Sequence, residues 1–239
     1  IWELVTDVLK IVSRFMLPSP LKVLNTFIYK LTGGTTPDGA NLIQHILASL
    51  KIALGGYAVG VFIGVPLGIA MAWSRKFEMF AMPLFNLIRP VPALAWIPLM
   101  ILWLGIGYLS KVGIIFFAAF ISATINSYTG IKKTNQVHLW VARTFGATNR
   151  QMLFKVAIPT ALPMIFTGLR LALGSSWVAL VAAEMLAATR GVGYMIYVGR
   201  MLGRPDIIIV GMITIGGIGL IMSYGLEKLQ RKYIGRGRK

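Results

Sequence analysis

Long apolar stretches, separated by short charged segments, run through most of the chain. A helix needs about 20 predominantly apolar residues to cross the hydrocarbon core of a bilayer. Five stretches meet or approach this length with few charges, namely residues 46–73, 91–106, 112–128, 163–188 and 207–224. The pattern predicts an all-α membrane protein with five transmembrane helices, some of them broken by proline or glycine.

The first 40 residues differ from the rest. Charged and apolar residues alternate there in short clusters, and Pro18 and Pro20 interrupt any helix. We predict either an amphipathic segment on the outer membrane surface or the tail of a preceding helix. Because the chain does not begin with Met, we expect a parent with six spans. The expected organisation is a segment over 1–40, a membrane domain over 41–225 and a basic tail over 226–239.

The composition excludes a soluble globular protein. Hydrophobic residues make up 56% of the 239 positions and charged residues 13%, which is about half the charged fraction of a typical soluble domain. The mean hydropathy is +0.75. The chain has no cysteine, two histidines and seven acidic residues, which removes disulfides and thiol nucleophiles and leaves few metal ligands. We therefore predict neither a metal site nor a catalytic residue.

A net charge of +17 fits either nucleic-acid binding or the excess of Lys and Arg in the cytoplasmic loops of membrane proteins. The positions of the charges decide between the two. More than half of the 24 basic residues lie in segments 74–90 and 129–160 and in the C-terminal tail. These segments and the C-terminus are expected to face the cytoplasm, and nucleic-acid binding is not expected.

Glycines recur every four residues in the first span, at Gly56, Gly60, Gly64 and Gly68. Small residues at this spacing form a flat strip that lets two membrane helices approach closely. We therefore predict a helix-packing seam along this strip.

Prolines surround the second span, at Pro90, Pro92 and Pro98. Each removes a backbone donor and bends a helix. In a membrane such breaks persist where neighbouring protein or a water-filled cavity satisfies the backbone. The second span is expected either to border a passage or to carry a purely structural kink.

The fourth span contains ionisable residues, which are costly inside a membrane and so point to function. Arg170, Trp177 and Glu184 fall near one line along the helix, because successive residues turn by 100°. One interpretation makes this face the wall of a solute passage, formed by Arg170, Ser175, Ser176, Trp177 and Glu184. In the other, Glu184 caps a neighbouring helix or pairs with a basic residue of another span, and Trp177 faces lipid.

The segment 129–160 is the longest connection on the expected cytoplasmic side. Residues 140–147 predict a short helix that ends near Gly146, since glycine commonly follows the last residue of a helix. A second, amphipathic helix is predicted over 149–157, ending at Ile158 and Pro159. Two short helices around a glycine corner form a compact protrusion, although a helix lying at the lipid interface also fits the pattern.

Several stretches resemble the permeases of bacterial ABC importers. Ala142, Gly146, Val156, Ile158 and Pro159 match the spacing of the glycine-centred coupling motif of that family. The family pattern begins Glu-Ala-Ala, and this sequence has Trp140 and Val141 at the first two positions. The chain resembles the nitrate/sulfonate/taurine-type subgroup of this family at residues 17–20, 89–98, 104–107, 167–170 and 182–186.

The resemblance implies the type I ABC importer permease fold, with five to six transmembrane helices and a cytoplasmic coupling-helix loop. It implies two permease subunits, expected as a homodimer, around one passage in the inner membrane of a bacterial or archaeal cell. Two ATP-binding subunits would lie beneath, and an extracytoplasmic binding protein would deliver the solute. The coupling residues implied by the resemblance are Ala142, Arg143, Thr144, Gly146, Ala147, Thr148, Ile158 and Pro159.

No G-x-x-x-x-G-K-[ST] phosphate-binding loop occurs in the sequence. Gly191 and Gly193 lack the lysine that follows the glycines of that motif. ATP and its Mg²⁺ are therefore expected on a partner ATPase, with no cofactor on this chain.

Two other functional classes are alternatives. A proton-coupled secondary transporter or channel would use Glu184, but such carriers often contain internal repeats and none is evident here. A membrane-embedded enzyme would need a polar cluster within the spans. His45 is expected near the outer surface, His138 in the cytoplasmic segment and Glu184 alone in the fourth span, so no catalytic pair is expected.

The solute is expected to be small and anionic, such as nitrate, a sulfonate, taurine or bicarbonate, as the subgroup resemblance implies. Arg190, Arg200 and Arg204 lie near the expected outer mouth. They suit an anionic solute and equally suit docking of an acidic surface of the binding protein.

Overall fold

Helices account for most of the chain in the computed structural model, which describes residues 2, 3, 6 and 16–234. Within these residues there are ten α-helices: α1 (Pro20–Leu31), α2 (Leu42–Trp73), α3 (Arg75–Ile88), α4 (Ile97–Leu104), α5 (Tyr108–Lys132), α6 (Gln136–Thr144), α7 (Asn149–Met152), α8 (Ile158–Ala187), α9 (Val192–Met201) and α10 (Pro205–Ile234). A 3₁₀ turn over Ala93–Trp96 precedes α4, and a π-helical turn over Leu153–Ala157 joins α7 to α8. The predicted all-α class is confirmed.

Four helical segments are long and apolar enough to cross a membrane: α2, α5, the continuous segment Asn149–Leu186 and α10. They overlap four of the five predicted apolar stretches, and α3 with α4 makes a fifth span if the pair is counted as one. The predicted span over 91–106 is not one straight helix. Its α-helix, α4, has eight residues, about 12 Å, and is bent by 80° from α3.

The prediction of a cytoplasmic loop over 74–90 is wrong for most of its length, because 14 of these residues form α3. Glu78, near the start of α3, forms an ion pair with Lys132 at the end of α5 (2.7 Å). Phe85, near the end of α3, packs on Phe120, halfway along α5 (ring centroids 6.1 Å apart). Arg89, which follows α3, therefore lies about halfway along the length of the helix bundle rather than at one of its ends.

The glycine strip of α2 lies against α5. A Cβ atom built on Gly60 would stand 2.6 Å from the Cβ of Ala119 and 2.9 Å from the carbonyl oxygen of Phe116. Gly56, Gly64 and Gly68 are likewise buried and would meet α5 atoms within 3.0 Å. The backbones of α2 and α5 thus touch along the strip, and α5 packs along α8 as well, which makes it the central helix of the bundle.

Helix α1 packs against the beginning of α10. Ser19 caps α1 by accepting a hydrogen bond from the backbone N–H of Lys22, as serine commonly does at this position. Val23 and Thr26 are buried, and the Thr26 hydroxyl donates to Asp206 (2.8 Å). The expected amphipathic segment over 1–40 falls partly outside the described residues.

The bundle has two distinct ends. At one end lie α1, α9 and the first residues of α2, α5 and α10, and we refer to it as the α9 end. At the other lie α6, α7 and the last residues of α2 and α5, and we refer to it as the corner end. Chain segments 74–76, 132–155 and 228–232, which are rich in Lys and Arg, lie toward the corner end.

Candidate functional site

The corner between α6 and α7 is built from its own hydrogen bonds. After Thr144, the Gly146 N–H donates to the Arg143 carbonyl (2.9 Å) and the Ala147 N–H to the Ala142 carbonyl (3.0 Å). Gly146 has φ of +79°, the left-handed region that glycine occupies without the steric cost other residues bear. The corner is therefore a defined turn rather than a loose loop.

Helix α7 begins with a reciprocal cap. The Thr148 hydroxyl accepts from the Gln151 N–H (3.3 Å), and the Gln151 side chain accepts from the Thr148 N–H (2.8 Å). This arrangement satisfies two backbone donors that a helix start otherwise leaves open. It fixes the direction in which the chain leaves the corner.

The corner carries large apolar side chains that no residue between 16 and 234 covers. Trp140 is 63% exposed and Phe145 86% exposed, and no residue of α6 is buried. We refer to residues 136–152 as the coupling corner. An exposed apolar surface of this kind is typical of a contact with another protein or with the membrane.

The predicted coupling residues divide into two groups. Ala142, Arg143, Thr144, Gly146, Ala147 and Thr148 all lie in the coupling corner. Ile158 and Pro159 lie instead at the start of α8, where Ile158 packs against the buried residues Ile131, Ala157 and Ala161. The predicted helix end at these two residues is wrong, because the chain stays helical from α7 through the π turn, and Pro159 lies at the junction where α8 begins.

At the α9 end, buried side chains from α2 and α8 bind three successive backbone N–H groups. The N–H of Gly191 donates to His45 Nδ1 (3.0 Å), that of Val192 to Ser49 Oγ (2.9 Å) and that of Gly193 to Glu184 Oε2 (2.9 Å). Ser49 in turn donates to Glu184 (2.8 Å). We refer to His45, Ser49 and Glu184 as the α9 cap.

Of the two interpretations of Glu184, the geometry favours the cap. The first N–H groups of a helix have no intrahelical partner, and a carboxylate there is also favoured by the helix dipole. Glu184 is 1% exposed, and His45 and Ser49 are fully buried. The carboxylate thus faces the chain's own packing rather than a solute passage.

A second buried cluster adjoins the α9 cap. Lys30 forms an ion pair with Asp38 and donates to the Ala40 carbonyl (3.0 Å), and the other Asp38 oxygen lies 3.4 Å from His45 Nε2. Burial alone raises the pKa of Asp38, but the hydrogen bond and positive charge of Lys30 and the adjacent imidazole of His45 lower it more, so the pKa lies below its ordinary value. The cluster ties α1 and the following loop to α2.

The remaining members of the predicted passage face have separate surroundings. Arg170 hydrogen-bonds Gln230 of α10, and the Trp177 indole N–H donates to the Ile215 carbonyl of α10 (3.1 Å). Ser176 is buried, whereas Ser175 is partly exposed and donates to the Ala118 carbonyl of α5 (2.9 Å). The line predicted on α8 therefore packs largely against α9 and α10. Trp177 lines a small cavity of about 120 Å³ between α8 and α10, and Ser175 lines a larger one.

That cavity has a volume of about 360 Å³ and lies beside the break between α3 and α4. Its lining comes from three elements: the break (Arg89, Val91, Pro92, Ala93, Leu94), α5 (Ala118, Ile121, Ser122) and α8 (Ser175, Val178, Ala179). Neither Arg89 nor Ser122 is among the site residues that the sequence predicts. The signal available for Arg89 was a basic residue directly before two closely spaced prolines.

No group of three or more His, Asp or Glu residues that could hold a metal ion occurs within the described ranges. His45 and Glu184 share the α9 cap, while His138 lies in α6 at the corner end.

We expect Glu184→Ala to destabilise the fold. The substitution leaves the buried Gly193 N–H without an acceptor, which costs about 1–3 kcal/mol, so the melting temperature in detergent should fall. Glu184→Gln retains one acceptor oxygen, so its melting temperature should fall less than that of Glu184→Ala. A Glu184→Ala protein with the wild-type melting temperature and abolished transport would contradict the cap and restore the passage interpretation.

Comparison with known proteins gives a family match over most of the chain. Residues 64–234 match the family described as "binding-protein-dependent transport system inner membrane component". The chain is 39% identical over 234 residues to the taurine transport system permease protein TauC of Escherichia coli, covering 97% of this chain and 83% of that protein. It is 34% identical over 212 residues to the nitrate import permease protein NrtB of Synechocystis, covering 86% of this chain and 76% of that protein.

The fold also matches a solved structure. A chain of the MetNI methionine ABC transporter in an inward-facing conformation superposes with a TM-score of 0.69, covering 80% of this chain and 95% of that one at 17% identity. At this identity the match concerns the fold alone, which is that of type I ABC importer permeases.

Proposed function

The chain belongs to the family of binding-protein-dependent transport system inner membrane components, as a permease of the ABC importer type, and from this premise we propose how it is energised and what it carries. Two copies enclose one passage in the inner membrane, two ATP-binding subunits dock on the cytoplasmic side, and an extracytoplasmic binding protein delivers the solute. ATP and Mg²⁺ bind to the docked subunits, and this chain forms the passage.

The coupling corner is the observation that carries this proposal. It combines a turn fixed by internal hydrogen bonds with exposed aromatic side chains, Trp140 and Phe145. A turn of fixed geometry moves as a rigid body when a bound partner displaces it. Helix α7 leads without interruption into α8, so a push on the corner reaches the passage directly.

A second mechanical connection runs through α5. The corner follows Lys132 at the end of α5, and Lys132 pairs with Glu78 of α3. Tyr128, one turn earlier in α5, also donates to Glu78. Displacement of the corner thereby acts on α3 and on the break beside the cavity.

The orientation follows from charge. Basic side chains concentrate at the corner end and along the last turns of α10, which include Lys228, Arg231 and Lys232. Lys and Arg accumulate in cytoplasmic segments of membrane proteins. The corner and the C-terminus therefore face the cytoplasm, and the α9 end faces outward, toward the binding protein.

The cargo is a small molecule carrying an oxyanion group. The relatives named above are permeases for taurine, which carries a sulfonate, and for nitrate. Arg190 and Arg200 are exposed at the α9 end and attract an anion toward the outer mouth. Proton coupling through Glu184 is disfavoured, since that carboxylate is enclosed by Ser49 and Gly193.

Removal of the Phe145 ring is expected to weaken docking of the ATP-binding subunits by roughly tenfold or more, the scale of an exposed aromatic anchor that becomes buried in a partner. The effect is measured as the affinity of purified wild-type and Phe145→Ala permease for the ATP-binding subunits. Phe62→Ala is the matched control, because Phe62 is 81% exposed but lies within α2, away from the corner. Equal affinities for wild type and Phe145→Ala would contradict docking through this ring.

A further inference from the structure

The break between α3 and α4 lies at mid-depth in the bundle. On its α3 side Phe85 packs on Phe120, and on its α4 side Trp96 stacks on Phe117 with ring centroids 4.3 Å apart. Phe117 and Phe120 are one turn apart near the middle of α5. The two aromatic pairs hold both half-helices in place, so the break is a fixed feature at a known depth.

Arg89 caps the end of α3 at this break. Arg89 is exposed, lines the 360 Å³ cavity, and its side chain has no hydrogen bond or ion pair to any residue between 16 and 234. By contrast Arg170, the other arginine at comparable depth, is bonded to Gln230, and Arg204 is paired with Asp206. Arg89 is thus a cation at mid-membrane depth without a counter-charge in that part of the chain.

A charged side chain at this depth is energetically unfavourable unless another group compensates its charge. An arginine at the centre of a membrane helix costs about 2.5–3.5 kcal/mol even on insertion scales. Non-helical backbone at this depth persists where it lines a cavity, and half-helix ends at the midplane of transporters hold the solute. The break and the unpaired cation therefore point to the same cavity as a place where an anion resides.

The rest of the cavity suits a small anion. Apolar side chains such as Val91, Leu94 and Val178 form most of the wall, and a charge interaction is stronger beside apolar surroundings than in bulk water. Ser122 offers a hydroxyl with no side-chain hydrogen-bond partner in the described chain, whereas that of Ser175 is used by the Ala118 carbonyl. The guanidinium fork binds two oxygens of one planar or tetrahedral oxyanion at once.

We propose that Arg89, at the break between α3 and α4, binds the oxyanion group of the solute while it crosses the membrane, with Ser122 as a second donor. This inference rests on the proposed function and adds to it the position of the transit site and the residue that selects charge. The exposed arginines of the α9 end would attract the anion, and Arg89 would hold it halfway.

A test that needs no cargo uses the absence of cysteine from the chain. Ser122→Cys places one thiol in the cavity of the complete transporter. Its rates of reaction with the anionic methanethiosulfonate ethylsulfonate and with a cationic trimethylammonium analogue are measured on this chain by mass spectrometry. Arg89→Gln should lower the anion-to-cation rate ratio by on the order of tenfold, and Arg89→Lys should preserve it.

Lys76→Gln is the matched control, since it removes one exposed positive charge from the opposite end of the same helix. It should leave the ratio unchanged. A ratio that does not respond to Arg89→Gln overturns the proposal. So does a thiol that reacts with neutral N-ethylmaleimide but with neither charged reagent, because the cavity then faces lipid.

Uptake by the transporter, reconstituted with its binding protein and ATP-binding subunits, gives a second readout. With [³⁵S]taurine and nitrate as probes, Arg89→Gln should lower uptake by at least about tenfold while the ATP-binding subunits stay bound. Arg89→Lys should raise KM more than it lowers the maximal rate. Wild-type uptake by Arg89→Gln overturns the transit site. Failure of the wild type to carry either probe rejects the proposed cargo instead, and the thiol ratio still decides whether Arg89 makes the cavity anion-selective.

Discussion

Gly146→Val is expected to abolish ATP-driven uptake while the chain still folds and inserts in the membrane. Gly146 has φ of +79° and open space around it, so the penalty comes from the backbone and not from a clash. A β-branched residue in this conformation costs about 1–3 kcal/mol and favours a different turn. The corner would then present Trp140 and Phe145 in the wrong direction, and uptake in vesicles would measure the loss.

Two variants separate backbone geometry from other causes. Gly146→Asn should retain more uptake than Gly146→Val, because asparagine tolerates the left-handed region better than branched residues do. Gly39→Val places the same residue at a nearly identical φ of +78°, also in open space, but in the loop before α2. Uptake lost equally in Gly39→Val and Gly146→Val would show that general strain, and not the corner, is responsible.

Gly60→Val is expected to prevent stable folding of the bundle. The space that its side chain needs is filled by Ala119 and by backbone atoms of Phe116 and Phe120. Overpacking by side chains costs roughly 1–3 kcal/mol, and here the cost should be larger because rigid backbones must separate. Since α5 also packs on α8, the displacement spreads through the bundle. Size-exclusion behaviour and the melting temperature in detergent are the readouts.

Gly216→Ala is the comparison for this variant. Gly216 lies within a membrane-spanning helix as well, but an added Cβ would meet nothing within 4 Å. The protein should keep its wild-type melting temperature. A Gly60→Val protein as stable as Gly216→Ala would contradict a close α2–α5 seam.

The sequence predicted the continuous spans well for a simple physical reason. A helix in lipid must satisfy all its backbone groups internally, so a long apolar run leaves few alternatives. The sequence did not predict the bent span formed by α3 and α4, because α3 is amphipathic, with its charges near its start and Pro83 within it. A window that requires unbroken apolar residues does not register two half-helices joined at 80°.

The hydrogen-bond partners of Glu184 lie too far from it along the chain to be predicted from the sequence. Ser49 is 135 residues from Glu184, and only the packing of α2 on α8 and α9 brings the two together. A signal did exist in the first span. Ser49 lies seven residues before Gly56, and His45 four residues before Ser49, which places both on the helix face that carries the glycine strip. Polar residues on such a buried strip require a partner, and the acidic residue of the fourth span provides it.

The direction in which the coupling corner faces, and what covers it, tests the account most directly. Thr144→Cys places a single thiol at the end of α6 in a cysteine-free chain. We expect a membrane-impermeant maleimide to label it from the cytoplasmic side only, and the ATP-binding subunits to block the labelling when they are co-assembled. Labelling from the outside, or labelling that the bound ATP-binding subunits leave unchanged, would contradict a permease driven through this corner.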